Sequence, residues 1–279
     1  MSLEFVQVDV FAAQPFHGNA VAVFPDAGDL STKQMSALAR EMNLSETTFV
    51  TALGADFYDV RIFTPTEELP FAGHPTIGTI WVLRHLGLIS GDDVVQRSGA
   101  GNTRVWLDDG LLWFTRTGSS DDRSFDADAL AEALQVDRAS VAATWKGHEL
   151  EPAGADIGLH QMMVPIKDDT TLSSLRIDAT RLEKLGLPGV YCFTPITDTK
   201  IRARGFWPGF GVTEDPATGS AAAGLGVYAA DRIGEHFFRI IQGVEMGRES
   251  HIHVRAEPGA ASVGGDCHLI LTGRVNVLP

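Results

Sequence analysis

The N-terminal third reads as short strands broken by turn residues. Glu4 to Val10 alternates apolar and polar positions as a half-buried strand does, and Asn19 to Phe24 is a second, valine-rich strand after a loop holding Pro15 and Gly18. Beyond Pro25-Asp26-Ala27-Gly28, Ser31 stands three residues before Gln34, the spacing of a capping box. Met35, Leu38, Ala39 and Met42 then mark one face of a helix that Asn43 can close in a left-handed conformation. Ser45 to Val50 and Phe57 to Thr64 read as strands. Val94 to Ser98, Thr103 to Leu107 and Leu111 to Thr117 read as hairpin strands, with Asp108-Asp109-Gly110 as a turn.

The pattern changes between Phe63 and Gly87. A strand end and a polar turn lead through Gly73, His74 and Pro75 into a helix whose apolar residues, Ile77, Ile80, Trp81, Val82 and Leu86, suit packing on several sides. Gly78 permits close approach of another backbone. Such a helix opens with free N–H groups and the positive end of its dipole beside an imidazole, a place for a carboxylate. Gly205 to Gly234 reads as a second copy. A shift of 146 places Glu68 on Glu214, Gly73 on Gly219, His74 on Ser220, Gly78 on Gly224, Gln96 on Gln242 and Gly101 on Gly247. A period this long means two related domains and not a solenoid.

In the second half, Ala127 to Leu134 and Ala179 to Leu185 read as short helices. Gln161 to Ile166, Val190 to Thr194, Lys200 to Phe206, Phe237 to Gln242, His251 to Ala256 and Leu269 to Val275 read as strands. Gly118 to Arg123 is polar and unpatterned, and marks a domain junction. Domains over 1–117 and 118–279 follow, the last strand being a candidate to return to the first. Helices are too few for βαβ alternation, so the class is α+β. His251 and His253 share a strand face, but two imidazoles without a third ligand make a poor metal site, and no metal is expected. No phosphate-binding glycine motif opens a helix.

The 279 residues carry a formal charge of −14, with 44% apolar content. That balance speaks for a globular protein and against nucleic acid or an anionic membrane as partner. Two cysteines, Cys192 and Cys267, make no disulfide framework, and together with the lack of a signal-like or membrane-length apolar run they point to a cytoplasmic protein.

The stretches FHGNAVAVF (16–24), MNLSETTFV (42–50), FTPTEELPFAGHPTIG (63–78), TEDPATGSAAAG (213–224), QGVEMGRES (242–250) and SVGG (262–265) resemble, in order and spacing, the phenazine-biosynthesis isomerase family of PhzF-like proteins. That family shares the diaminopimelate epimerase fold. The resemblance implies two pseudo-symmetric domains, each a mixed β-barrel around a central helix, an active site between them, a homodimer, and chemistry without cofactor or metal. Carried over, Glu46 is the general acid/base. His74, Asp215 and Ser220 line the site, and Gly73 and Gly219 present N–H groups to the carboxylate of a small substrate. A carboxylate in a partly dry site could give and take a proton near neutrality. From its local sequence alone, Glu46 reads first as a solvated strand charge, with an acid/base carboxylate at a cleft edge as the alternative. Ala20 stands where many members have proline, and His17 is either a site residue or a solvent-exposed one. Two further readings stay open: an epimerase, whose paired thiols neither helix entrance supplies, and a non-catalytic sensor of small carboxylates. Cys192 and Cys267 suit buried apolar positions in strands.

Overall fold

The structure is a computed structural model that describes residues 3–121, 126–234 and 236–279. In chain order it runs β1 (Leu3–Val10), β2 (Asn19–Phe24), α1 (Thr32–Met42), β3 (Glu46–Leu53), β4 (Phe57–Phe63), β5 (Glu68–Leu69), α2 (Gly73–His85), β6 (Asp93–Ser98), β7 (Gly101–Asp108) and β8 (Leu111–Thr117). It continues with β9 (Ser119–Asp121), α3 (Ala127–Leu134), β10 (Ala143–Trp145), β11 (His148–Leu150), β12 (Ala153–Asp156), β13 (His160–Pro165), α4 (Asp169–Ser174), α5 (Ala179–Lys184), β14 (Val190–Thr197) and β15 (Lys200–Trp207). The last elements are β16 (Val212–Asp215), α6 (Gly219–Ile233), β17 (His236–Gln242), β18 (Ser250–Glu257), β19 (Ala260–Gly265) and β20 (Cys267–Val275). The chain forms two compact units, Met1–Thr115 with Gly264–Pro279, and Arg116–Val263.

The two units repeat one strand order. In the first, β1–β2 is antiparallel, β2–β3 parallel, β3–β4 antiparallel, β4–β6 parallel and β6–β7 antiparallel. In the second, β12–β13, β13–β14, β14–β15, β15–β17 and β17–β18 follow the same alternation. Each unit also has a short strand, β5 or β16, folded back on β4 or β15 just before its long buried helix. Low sequence identity thus conceals a repeated strand order, to which the second unit adds α3 and the β10–β11 hairpin. The C-terminal strand β20 pairs along β1 in the first unit.

In the first unit, strand alternation sorts side chains between two cores. Phe24, Phe49 and Phe63 face α1, with Phe24 and Phe49 stacked at 4.9 Å between centroids and Phe63 edge-on to Phe49 at 5.6 Å. Residues of the other parity face α2: Val8, Val10 and Val21 meet it at Gly78, and the Thr48 and Thr79 hydroxyls hydrogen-bond at 2.9 Å. In the second unit, α6 is buried over Ala221–Ala230, while Leu130, Leu134, Leu172 and Leu182 of α3, α4 and α5 pack with Met162, Val164 and Cys192 in a separate core.

Several readings of the sequence are refined. The Ser31–Gln34 capping box is present, and Asn43 closes α1 at φ 51°. The Asp109-Gly110 turn joins β7 to β8 through two positive-φ residues, as a tight hairpin demands. Pro75 is not the first helical residue: α2 begins two residues earlier, and Pro75 still lies in the first turn, where a backbone N–H has no intrahelical acceptor. Gly78 meets valine side chains rather than another backbone. Ser119–Asp121, from the stretch read as unpatterned, pairs with β12, while Asp122 and Arg123 fall outside the described residues. The 140s and 170s held a hairpin and α4, both too short to show a period.

A Cβ placed on Gly78 would stand 2.4 Å from Val21 Cγ1 and 2.9 Å from Val10 Cγ2, and neither short, branched side chain can swing clear. Gly78→Ala is therefore expected to lower unfolding stability by about 1–3 kcal/mol in urea denaturation, despite alanine's better helix propensity.

Candidate functional site

The parity that points Thr48 at α2 also points Glu46 there, two residues nearer the helix start, and the parity of Val21 carries Asn19 to the same place. The imidazole of His74, in the first turn of α2, fills the space between them. Its Nε2 lies 3.3 Å from Glu46 Oε2, and its Nδ1 lies 3.2 Å from Asn19 Nδ2. Ser45, the residue before Glu46, donates to Asn19 Oδ1 at 3.0 Å. The chain of contacts runs Ser45, Asn19, His74, Glu46 within one unit.

His74 is 4% exposed, and burial pushes its pKa down to about 3, partly opposed by a hydrogen bond to the Ala20 backbone. The ring is therefore neutral at physiological pH. Glu46 keeps 17% of its side chain exposed, so the carboxylate is backed by a dry imidazole and open on one side. Asn19 Nδ2 can only donate, so a neutral ring accepts at Nδ1 and carries its proton on Nε2, where it can face a carboxyl oxygen of Glu46 in either protonation state. Gly73 precedes His74 as the first residue of α2, and the N-cap Ala72 supplies no side-chain cap, leaving the first-turn N–H groups for another acceptor.

The entrance to α6 in the second unit is built differently. Asp215 ends β16, Gly219 opens the helix, and Ser220 follows half-buried. The hydroxyl of the N-cap Thr218 donates to Asp215 Oδ2 instead of capping the helix, so here too the first-turn N–H groups lack a side-chain cap. Just upstream, Arg204 forks onto Glu214 with two bonds of 2.8 Å, as Arg61 forks onto Glu68 across the matching hairpin of the first unit.

Glu46, Gly73 and His74 thus gather in one unit, and Asp215, Gly219 and Ser220 in the other. The sequence reading gave no role to Asn19, Ser45, Tyr58, Tyr191 or Thr218. Asn19 and Ser45 lay inside quoted motifs, yet only the fold shows Asn19 reaching His74 and Ser45 holding Asn19. His17 is half-buried and contacts Gln14, Cys192 and Cys267 are buried free thiols, His251 pairs with Glu249 at 2.8 Å and His253 stacks on Phe237. Among the described residues no group of side chains could hold a metal ion, and no helix is long and apolar enough to cross a membrane.

The sequence model for the family described as phenazine biosynthesis-like protein matches residues 8–273. The chain belongs to the phenazine biosynthesis-like protein family. A relative from Pseudomonas chlororaphis, trans-2,3-dihydro-3-hydroxyanthranilate isomerase, is 35% identical over 91% of this chain and 90% of its own length. The solved structure of a predicted epimerase from Pseudomonas aeruginosa superposes with a TM-score of 0.80 at 28% identity, covering 99% of each chain. A hydroxyproline epimerase from Agrobacterium vitis, at 11% identity and a TM-score of 0.62, covers 98% of this chain and 92% of its own and shares the fold. This member of the phenazine biosynthesis-like family thus has the mixed α+β, diaminopimelate epimerase-like fold and is an isomerase.

The neutrality of His74 is measurable. Its ring resonances are expected to stay those of a neutral imidazole from about pH 8 to about pH 4. The unfolded chain binds this proton at its ordinary pKa of 6.5 and the folded chain only near 3, so the contribution to stability is full above 6.5 and is lost as pH falls through that window. Urea denaturation of His74→Gln should show a shallower acid loss across the same range.

Proposed function

We propose that the protein is a cofactor-independent isomerase that moves a proton on a small carboxylate-bearing substrate, of the trans-2,3-dihydro-3-hydroxyanthranilate isomerase type, with Glu46 as the general acid/base. The observation that carries this reading is the contact of a partly open carboxylate with a buried, neutral imidazole at an uncapped helix start. A proton carrier must change charge during the reaction. His74 tolerates both states of Glu46 because it remains neutral and has a single ring nitrogen facing the carboxylate. The N–H groups at Gly73, and at Gly219 beside Ser220 and Asp215, are proposed to bind the substrate's carboxylate and polar groups, opposing the negative charge that grows as a carbon loses its proton.

Epimerisation is the second reading, favoured by the 28% identical structural relative named a predicted epimerase. It shares the first chemical step, removal of a proton from carbon. Thiols do not take part in it: Cys192 and Cys267 are buried, and burial pushes both well above the ordinary thiol range. A cytoplasmic homodimer belongs to the same proposal, and equilibrium sedimentation of the purified protein checks the assembly.

The test is proton NMR in D₂O with trans-2,3-dihydro-3-hydroxyanthranilate and a panel of cyclic amino acids. Deuterium should enter one carbon with the native enzyme, and Glu46→Gln should reduce that rate by about 10²–10⁴-fold while still binding a carboxylate. Double-bond migration identifies the isomerase reading, and inversion at a stereocentre the epimerase. Saturable binding with no exchange in any compound would instead favour a sensor.

A further inference from the structure

Each unit contains a hydrogen-bonded chain that the chemistry above does not use. In the second, Tyr191 of β14 donates to Gln242 Oε1 at 2.9 Å, and the Thr218 backbone N–H donates to the same oxygen at 3.2 Å. Gln242 Nε2 donates to the Asp215 carbonyl at 2.7 Å and to the Thr218 hydroxyl at 3.1 Å. Two backbone groups fix the direction of the chain. A peptide N–H can only donate and a peptide carbonyl can only accept, so the Gln242 amide has one orientation. The Thr218 oxygen, already accepting from Nε2, must send its own proton elsewhere, and Asp215 Oδ2 receives it.

The first unit repeats the arrangement. Tyr58 donates to Gln96 Oε1 at 3.0 Å, Gln96 Nε2 donates to the Thr76 hydroxyl at 3.0 Å, and that hydroxyl donates to the Ala72 carbonyl at 2.8 Å. Both glutamines are fully buried, where an unmatched amide would be costly. Burial raises both tyrosines far above the ordinary phenol range, so each remains a donor at every working pH. Here the chain ends on the carbonyl of the residue before Gly73. In the second unit it ends on a carboxylate.

We infer that Tyr191, Gln242 and Thr218 are positioning residues that fix the turn from Asp215 to Gly219 and hold the Asp215 carboxylate ionised and oriented. Every proton in the relay points toward Asp215, which strengthens successive bonds and favours the charged acceptor. The charged cluster next to it in the chain is centred on Glu214, the preceding residue of β16: Arg204 of β15 is forked on Glu214, and Glu245 and Arg202 lie next to that pair. Thr218 is the member whose removal changes the bond to Asp215 without altering any of these. The catalytic consequence rests on the substrate-binding role proposed for Asp215, whereas the relay itself does not.

The experiment is carbon NMR of protein labelled at the aspartate carboxyl, following Asp215 through an acid titration. Thr218→Val should raise its midpoint by on the order of one pH unit, while Thr218→Ser, which keeps the hydroxyl, should restore the native midpoint. Tyr191→Phe should shift it less, in the same direction, and it carries the test alone if the valine variant does not fold. An unchanged Asp215 midpoint in a folded Thr218→Val or, failing that, Tyr191→Phe overturns the relay. With substrate in hand, the acid limb of the kcat/KM profile should move with the Asp215 midpoint in Thr218→Val. A shifted midpoint with an unshifted profile would uphold the relay and discard the role of Asp215 in the reaction.

Discussion

Both long helices begin buried, and a buried helix start is an electrostatic problem. Its first-turn N–H groups have no partners within the helix, and in most proteins a serine, threonine or aspartate side chain supplies them. Here neither Ala72 nor Thr218 does so. What surrounds the two starts is arranged around that deficit. Small residues allow the helices to sink into their sheets, buried amides tie down the turns leading in, and under the proposed function the donors serve the negatively charged substrate.

Sinking a helix so deeply restricts its sequence. Apart from Ser220, the first six residues of α6 are alanine and glycine, and Gly224 lies so close to Met163 that a Cβ there would sit 2.8 Å from the thioether methyl. Each glycine costs helix stability, on the order of 1 kcal/mol relative to alanine, and packing offsets that cost. In the first unit, α2 is buried from its first residue, and His74 is buried with it. An imidazole at the helix start in contact with solvent would titrate near neutrality and compete with Glu46 for the proton.

The elements most readable from sequence were those with a local cause. The capping box at Ser31 and Gln34, the Asn43 terminus, the Asp109-Gly110 turn and the long strands each owe their form to residues within a few positions. The two helix starts were legible because their Gly residues recur at one spacing. The relays were not, since Tyr58 and Tyr191 reach their glutamines from 38 and 51 residues away and do not coincide under the 146-residue shift. Asn19 likewise meets His74 across 55 residues, and nothing in the local sequence marks it as a ring partner.

The strand order repeats and the chemistry does not, and that asymmetry bears on mechanism. Glu46 opens β3 on the side of the strand that faces the buried helix. Its counterpart β14 opens on Val190 behind Leu187-Pro188-Gly189, and carries no acidic residue along its length. Under the proposed role of Glu46, the repeat has two helix starts without a side-chain cap but only one strand-borne proton carrier. A racemase that works through opposite faces of one carbon needs two carriers of matched strength. A single carrier with a neutral histidine behind it suits a proton that leaves one position and returns at another on the same face, which is the demand of a double-bond isomerisation.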